Sequence, residues 1–211
     1  MTVDLDRAAL IVIDVQNDFC PGGKLEVKEG DIVVPVINSL AEVFPKTVAT
    51  MDWHPKNHVS FATNHSGMGV FDIIDIGGVK QVLWPEHCVQ GMEGADFHPD
   101  LDDRSFDLIL RKGTSPSLDS YSAFFENDRA TSTGLEHYLK GLGVKELFIC
   151  GLATDYCVFY SAIDSINTGF NTSLIIDATK GVDVPQGNVE KAVSEMELAG
   201  VRMIDSRELV P

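Results

Sequence analysis

The stretch "ELFICGLATDYCVFYSAIDSINTG", residues 146–169, contains the unit from which the rest of the chain can be read. Residues 146–150 form a short apolar run of β-prone type, and Gly151 breaks it. Beyond the turn, Val158, Ala162, Ile163 and Ile166 fall on one face of a helix that Gly169 ends and that Thr154 is expected to cap. Strand, tight turn and helix is the repeating unit of an α/β protein. Working outward, apolar runs predict further strands at 8–14, 46–52, 106–112, 172–177 and 201–205. Helical periodicity predicts helices at 31–44, 131–142, 155–168 and 188–199. Several strands are continuously apolar, as in "AALIVID", which suits parallel strands covered on both faces. The expected fold is a single α/β domain over residues 1–211, a doubly wound sheet of about six mostly parallel strands with helices on both faces. Residues 53–103 are rich in Gly, Pro, His and aromatic residues with little periodicity, and are expected to be loops and short turns.

Composition narrows the function classes. A chain of 211 residues with 44% hydrophobic content can bury a full core. Thirty-two acidic against sixteen basic residues give a formal charge of −16, which repels nucleic acid and anionic membrane surfaces. The sequence shows no secretory leader pattern and no apolar run long enough to span a bilayer. Cys20, Cys88, Cys150 and Cys157 follow no regular spacing, so reduced thiols and a cytoplasmic location are expected. A homo-oligomer is compatible with all of this.

Ligands of doubly wound folds bind beyond the carboxyl ends of the strands. The first predicted strand ends in Asp14, the third in Lys112, and the fourth delivers Cys157 just past its turn. An acid, a lysine and a thiol would therefore meet in one crevice. A helix start and a nearby cation favour the thiolate, and a carboxylate can carry protons between nucleophile, leaving group and water. The turn before Cys157 can supply backbone N–H donors to an oxyanion. This is equipment for acyl transfer. Cys150, inside a strand, lacks such help and is expected to be core.

The segments "VIDVQNDFCPGG", "MDWHPKNHVSFA", "LWPEHCVQG", "RKGTSPSLDSYSAFF" and "CGLATDYCV", in this order, resemble the nicotinamidases of the isochorismatase-like cysteine hydrolase family. The resemblance runs from about residue 8 to the last strand. It implies a catalytic triad of Asp14, Lys112 and Cys157, an oxyanion hole from the N–H groups of Ala153 and Cys157, and a cis peptide bond between Leu152 and Ala153. It also implies hydrolysis of nicotinamide to nicotinate and ammonia through a thioester, a step in NAD salvage.

"DWH" and "WPEHC" point to a metal. Asp52 and His54 lie two apart at the end of the second strand, with both side chains on one side of an extended segment, and His87 would arrive from the long loop. Two imidazoles and one carboxylate leave open positions on one divalent ion: Zn²⁺ is favoured, and Fe²⁺ or Mn²⁺ also suit. In the nicotinamidases that this arrangement resembles, the ion holds the pyridine nitrogen of the substrate. His58 is a further candidate ligand, with a loop histidine bonded to backbone as the alternative. Cys88 is expected to pack rather than ligate, since neighbours in an extended chain point apart. Phe19, Trp84 and Tyr121 are expected to wall the pocket for a flat pyridine ring. Gln16 is expected to stand with them at the substrate and to hold the Asp14 carboxylate or a metal-bound water. Two other functions stay open on sequence: a relative acting on a carbamoyl or ureido substrate, which would not need the metal set, and a binding or redox-sensing thiol protein that has kept the fold.

Overall fold

The computed structural model describes residues 5–210. In chain order the elements are β1 (Ala8–Ile13), α1 (Val33–Ala41), β2 (Thr47–Asp52), β3 (Ile73–Ile76), β4 (Val79–Val82), β5 (Leu108–Lys112), α2 (Leu135–Gly141), β6 (Glu146–Leu152), α3 (Phe159–Asn167), β7 (Asn171–Lys180), α4 (Asn188–Leu198) and β8 (Arg202–Ile204). Six strands form one sheet in the order β5-β2-β1-β6-β7-β8. Every pairing in it is parallel.

The alternation of β1 explains the two layers. All six of its residues are buried, but successive side chains leave opposite faces of the sheet. Ala8, Leu10 and Val12 join Val33, Val34, Ile37 and Leu40 of α1 in one core. Ala9, Ile11 and Ile13 join Leu135 and Leu139 of α2, Ala162 of α3 and Met196 of α4 in the other. An apolar run without alternating polarity is what a strand needs when both of its faces are covered.

β6 runs through Gly151, which is expected from sequence to break it, as far as Leu152. The structure departs from the sequence expectations in three further places. The long segment contains a two-stranded antiparallel hairpin, β3 with β4, turned by Gly77 and Gly78 at φ 60° and 92°. Two adjacent positive φ angles are the mark of a type I′ hairpin turn, and Gly-Gly supplies them at low cost. Second, Thr154 does not cap a helix. Its hydroxyl donates to Thr179 Oγ1 at 2.8 Å, while Thr179 donates onward to the Gly151 carbonyl at 2.8 Å. Third, Thr154–Val158 form a π turn ahead of α3, closed by the bond from the Val158 N–H to the Ala153 carbonyl at 3.2 Å. The helix predicted at 155–168 is α-helical only from Phe159.

Candidate active site

The carboxyl ends of β1, β2, β5 and β6 converge on one buried centre. Lys112, the last residue of β5 and 1% exposed, extends its Nζ to within 2.8 Å of Asp14 Oδ2. The same ammonium contacts Asp52 Oδ1, donates to the Ser120 carbonyl at 2.9 Å and lies 3.5 Å from Cys157 Sγ. Asp14 follows β1 directly and turns the chain with φ 47°, a conformation that Asp tolerates better than most residues. Thr50 of β2 orients it: the Thr50 hydroxyl donates to Asp14 Oδ1 at 2.6 Å and accepts from the Asp14 N–H at 3.2 Å. Nothing in the sequence singles out Thr50, because threonine is an ordinary strand residue.

Electrostatics in this centre follow from burial against one cation. Burial would lower the Lys112 pKa, but the charges of Asp14 and Asp52 outweigh it and hold the ammonium well above the usual lysine range. Burial pushes the Asp14 carboxyl up, and Lys112 only partly draws it back. Burial likewise pushes the Cys157 thiol well up; Lys112 opposes this while Asp14 and Asp52 add to it. The cation favours the thiolate as expected, but burial and the two carboxylates outweigh it. Lys112 serves two carboxylates as well as the sulfur, so its charge is shared among them.

Beside the triad, Asp52, His54 and His87 place one ligand atom each within 4.8 Å of one another. His54 Nε2 is 3.5 Å and His87 Nε2 3.9 Å from Asp52 Oδ2. Two donors about 2.1 Å from a shared ion lie about 3.4 Å apart at the tetrahedral angle, so the set is of the right size for a small divalent cation. Its orientation fits as well. His54 Nδ1 is tied to the Gly113 carbonyl at 2.9 Å and His87 Nδ1 to the Pro85 carbonyl at 2.8 Å, which leaves both Nε2 atoms facing inward. Burial and then the neighbouring His54 push His87 down to about 4, which leaves its imidazole neutral at neutral pH. Burial would raise the Asp52 carboxyl, but Lys112 and the two histidines hold it well below the usual carboxylate range.

His58 stacks on His54 with ring centroids 4.1 Å apart. The Ser60 N–H donates to its Nδ1 at 3.3 Å, so that nitrogen is an acceptor and Nε2 carries the proton toward the Leu118 carbonyl at 3.3 Å. In that tautomer both ring nitrogens serve the protein, although His58 also groups with His54 and Asp119 within ligating distance. Gln16 is fully buried and stands behind Asp52 instead of at the cavity wall, which corrects its expected role. Its amide donates to the carbonyls of Asp52 and Ala95 at 2.8 Å each and accepts from the Asp52 N–H at 2.8 Å. Its carboxamide is thus taken up by main chain and fixes the backbone of a candidate ligand.

A cavity opens onto both groups, with Cys157, Ala153, Asp52, His54 and His87 on its walls. Phe19, Trp84 and Tyr121 line it as expected from sequence, joined by Leu25, Asp119, Tyr156 and Val182, which sequence reasoning did not single out. Trp84 Nε1 donates to Tyr121 Oη at 3.0 Å, and Trp84 meets Tyr156 edge-on at 4.8 Å. Tyr156 adjoins the nucleophile candidate in the chain and could have been found from that position. Cys150 and Cys88 are fully buried in the α1-side core, as expected. The peptide bond between Leu152 and Ala153 is cis, also as expected.

Comparison with known proteins places this geometry. The chain is 50% identical to the nicotinamidase of Acinetobacter baylyi over 97% of its own length and 95% of the relative's. Its structure resembles that of the nicotinamidase/pyrazinamidase of Acinetobacter baumanii, with a TM-score of 0.94 and 48% identity across 97% of this chain and 98% of the other. The pyrazinamidase of Pyrococcus horikoshii in complex with zinc aligns with a TM-score of 0.77 and 38% identity over 94% of this chain and 99% of that one. Residues 8–208, which run from the first strand to beyond the last, match the isochorismatase domain, and the chain belongs to that family.

Proposed function

We propose that the protein is an amidohydrolase that converts nicotinamide and water to nicotinate and ammonia, the entry step of pyridine nucleotide salvage. The observation that carries this reading is the shared cavity: the thiol of Cys157 and the side chains of Asp52, His54 and His87 line the same space. A planar pyridine carboxamide in that space would meet both, between walls formed by Phe19, Trp84 and Tyr121. The nicotinamidase of Acinetobacter baylyi supports the same substrate.

In this reading Asp14 takes the thiol proton as Cys157 Sγ attacks the carboxamide carbon, and the N–H groups of Ala153 and Cys157 hold the resulting oxyanion. Asp14 then returns the proton to the departing ammonia, leaving a thioester on Cys157. Water, deprotonated by Asp14, releases nicotinate and restores the thiol. The raised Asp14 pKa suits both halves, because a stronger base takes the thiol proton and the acid formed can still protonate the amine. Lys112 keeps the Asp14 and Asp52 carboxylates and the sulfur in register. Asp52, His54 and His87 would hold one divalent ion, Zn²⁺ in our reading, as a Lewis acid for the ring nitrogen. The zinc complex of the Pyrococcus horikoshii pyrazinamidase supports that choice.

The test is ammonia release from nicotinamide by the purified protein, before and after chelation, with benzamide as the comparison substrate. Nicotinamide turnover is expected to vanish on chelation and return with Zn²⁺. Benzamide, which lacks the ring nitrogen, is expected to react at least ~100-fold more slowly in kcat/KM, about 2.7 kcal/mol of transition-state binding. His54→Ala should lose metal and turnover together while Cys157 remains open to alkylation. Equal rates on both amides, or full activity without metal, would reopen the substrate assignment.

A further inference from the structure

The Asp18 carboxylate takes no part in the chemistry above, yet it sits where the loops of the site meet. It is 5% exposed, in the short turn Asn17–Phe19 behind the cavity wall. Asp18 Oδ2 accepts the Cys88 N–H at 2.7 Å, and Oδ1 accepts the Lys24 N–H at 3.2 Å. The first of these has the length of a charge-assisted hydrogen bond. The Asp18 carbonyl also accepts the N–H of Leu25, a cavity residue, at 3.0 Å.

Cys88 follows His87 directly, and its peptide is gripped from two sides. Asp18 holds its N–H, and its carbonyl accepts the His54 N–H at 3.0 Å. The main chain at Cys88 therefore spaces the two inward-facing histidines, and it does so with φ 45°, a conformation that cysteine adopts only when held. The His87 ring takes its own bearing from the Pro85 carbonyl, so the loop backbone sets the imidazole. The socket around the carboxylate is tight. A Cβ on Gly94 would lie 2.2 to 2.4 Å from the carboxyl atoms of Asp18, so the loop can close over the carboxylate only with glycine there.

We propose that Asp18 is a positioning residue for the metal set: through the Cys88 N–H it fixes His87 against His54, and thereby sets the affinity of Asp52, His54 and His87 for a divalent ion. This rests on the metal reading given above. A carboxylate is needed because two N–H groups converge on it. An asparagine offers one acceptor and turns its amide hydrogens toward the other N–H.

The experiment compares wild type with Asp18→Asn after removal of bound metal. Zn²⁺ affinity is measured by competition with a chromophoric chelator, Cys157 alkylation by iodoacetamide is followed on the metal-free proteins, and melting establishes folding. Asp18→Asn is expected to bind Zn²⁺ 10- to 100-fold more weakly, the usual scale for loss of a partner behind a metal ligand. The alkylation rate should stay within twofold, and saturating Zn²⁺ should restore most of kcat. Zn²⁺ affinity within threefold of wild type would overturn the assignment. So would a loss of affinity accompanied by an equal loss of alkylation, since the whole site would then have collapsed. If Asp18→Asn does not fold, Gly94→Ala is read in the same way, because its methyl presses on the same carboxyl. Failure of wild type to bind Zn²⁺ is a different result, which removes the metal reading itself.

Discussion

Lys112 shows how much one residue can decide. Among the described residues, its ammonium is the one that touches two buried carboxylates and the Cys157 sulfur. Lys112→Ala would leave Asp14 and Asp52 buried without it, and removing one partner of a buried ion pair costs about 3–5 kcal/mol. The variant should melt well below wild type, and its Cys157 should react more slowly with iodoacetamide at neutral pH, since the charge that opposes the upward push on the thiol is lost. An alkylation rate equal to wild type across pH would show that Lys112 does not stabilise the thiolate. The two cysteines at the ends of "CGLATDYC" should separate cleanly. Cys157→Ala is expected to abolish turnover with little change in melting, whereas Cys150→Ala, which removes a sulfur from the closed core, should keep activity and cost about 1 kcal/mol. Asp14, Lys112, Asp52 and His54 were legible in the sequence because chemistry-bearing residues at strand ends stand out against apolar runs, and His87 was legible through the loop motif "WPEHC". Thr50, Asp119 and Asp18 were not, since a threonine in a strand and an acid in a loop look the same whether or not they orient a neighbour.

At the level of elements, the passage from β6 into α3 positions the nucleophile. Gly151 has φ 105°, and a Cβ there would lie 2.1 Å from the Ile13 carbonyl, so β6 can lie against the end of β1 only with glycine at this position. Gly151→Ala should push the two strands apart at the point where Asp14 and the turn before Cys157 emerge. The expected cost is at least about 1–3 kcal/mol from overpacking, with a drop in kcat/KM of more than tenfold, because a small displacement of a nucleophile from its base is costly. Thermal melting and steady-state kinetics on the same variant check both; unchanged kinetics would show that the turn absorbs the methyl without moving Cys157. The alternation of strand and helix was readable here, but the π turn was not, since its i+5 bond depends on where Ala153 is held. The β3–β4 hairpin did carry a signal in Gly77–Gly78, masked because its strands are short and half exposed and bear little of the apolar run that marks the central sheet.

For the whole molecule, pH dependence is the most accessible test. Glu126 is partly buried, its Oε2 has no hydrogen-bond partner among the described residues, and burial raises its pKa from 4.5 to about 7. Between those values the folded state holds a proton that the unfolded chain has lost, so stability must fall as pH rises through the window. The ceiling is about 3 kcal/mol, reached above pH 7, with partial exposure reducing it. Glu126→Gln should therefore melt higher than wild type at pH 8 and match it near pH 4.5. Equal melting of the two proteins at pH 8 would show that Glu126 is not penalised by folding.

The sequence by itself determined the layer architecture, because a strand covered on both faces must be apolar at every position and a helix on one face must repeat every 3.6 residues. It also determined which residue types stand at the strand ends, and so the chemistry available. Only the tertiary structure decided how the buried Lys112 ammonium is shared. Lys112 lies between Asp14 and Asp52, and burial and those carboxylates push the Cys157 thiol up against the help that its place at a helix start suggested. It likewise decided that Gln16 grips the backbone of Asp52, and that Asp18 reaches Cys88, 70 positions away, to bear on His87. Periodicity and residue type act over a few positions along the chain, whereas charge and hydrogen bonding act through space, between groups that only the folded sheet brings within 3 Å of each other.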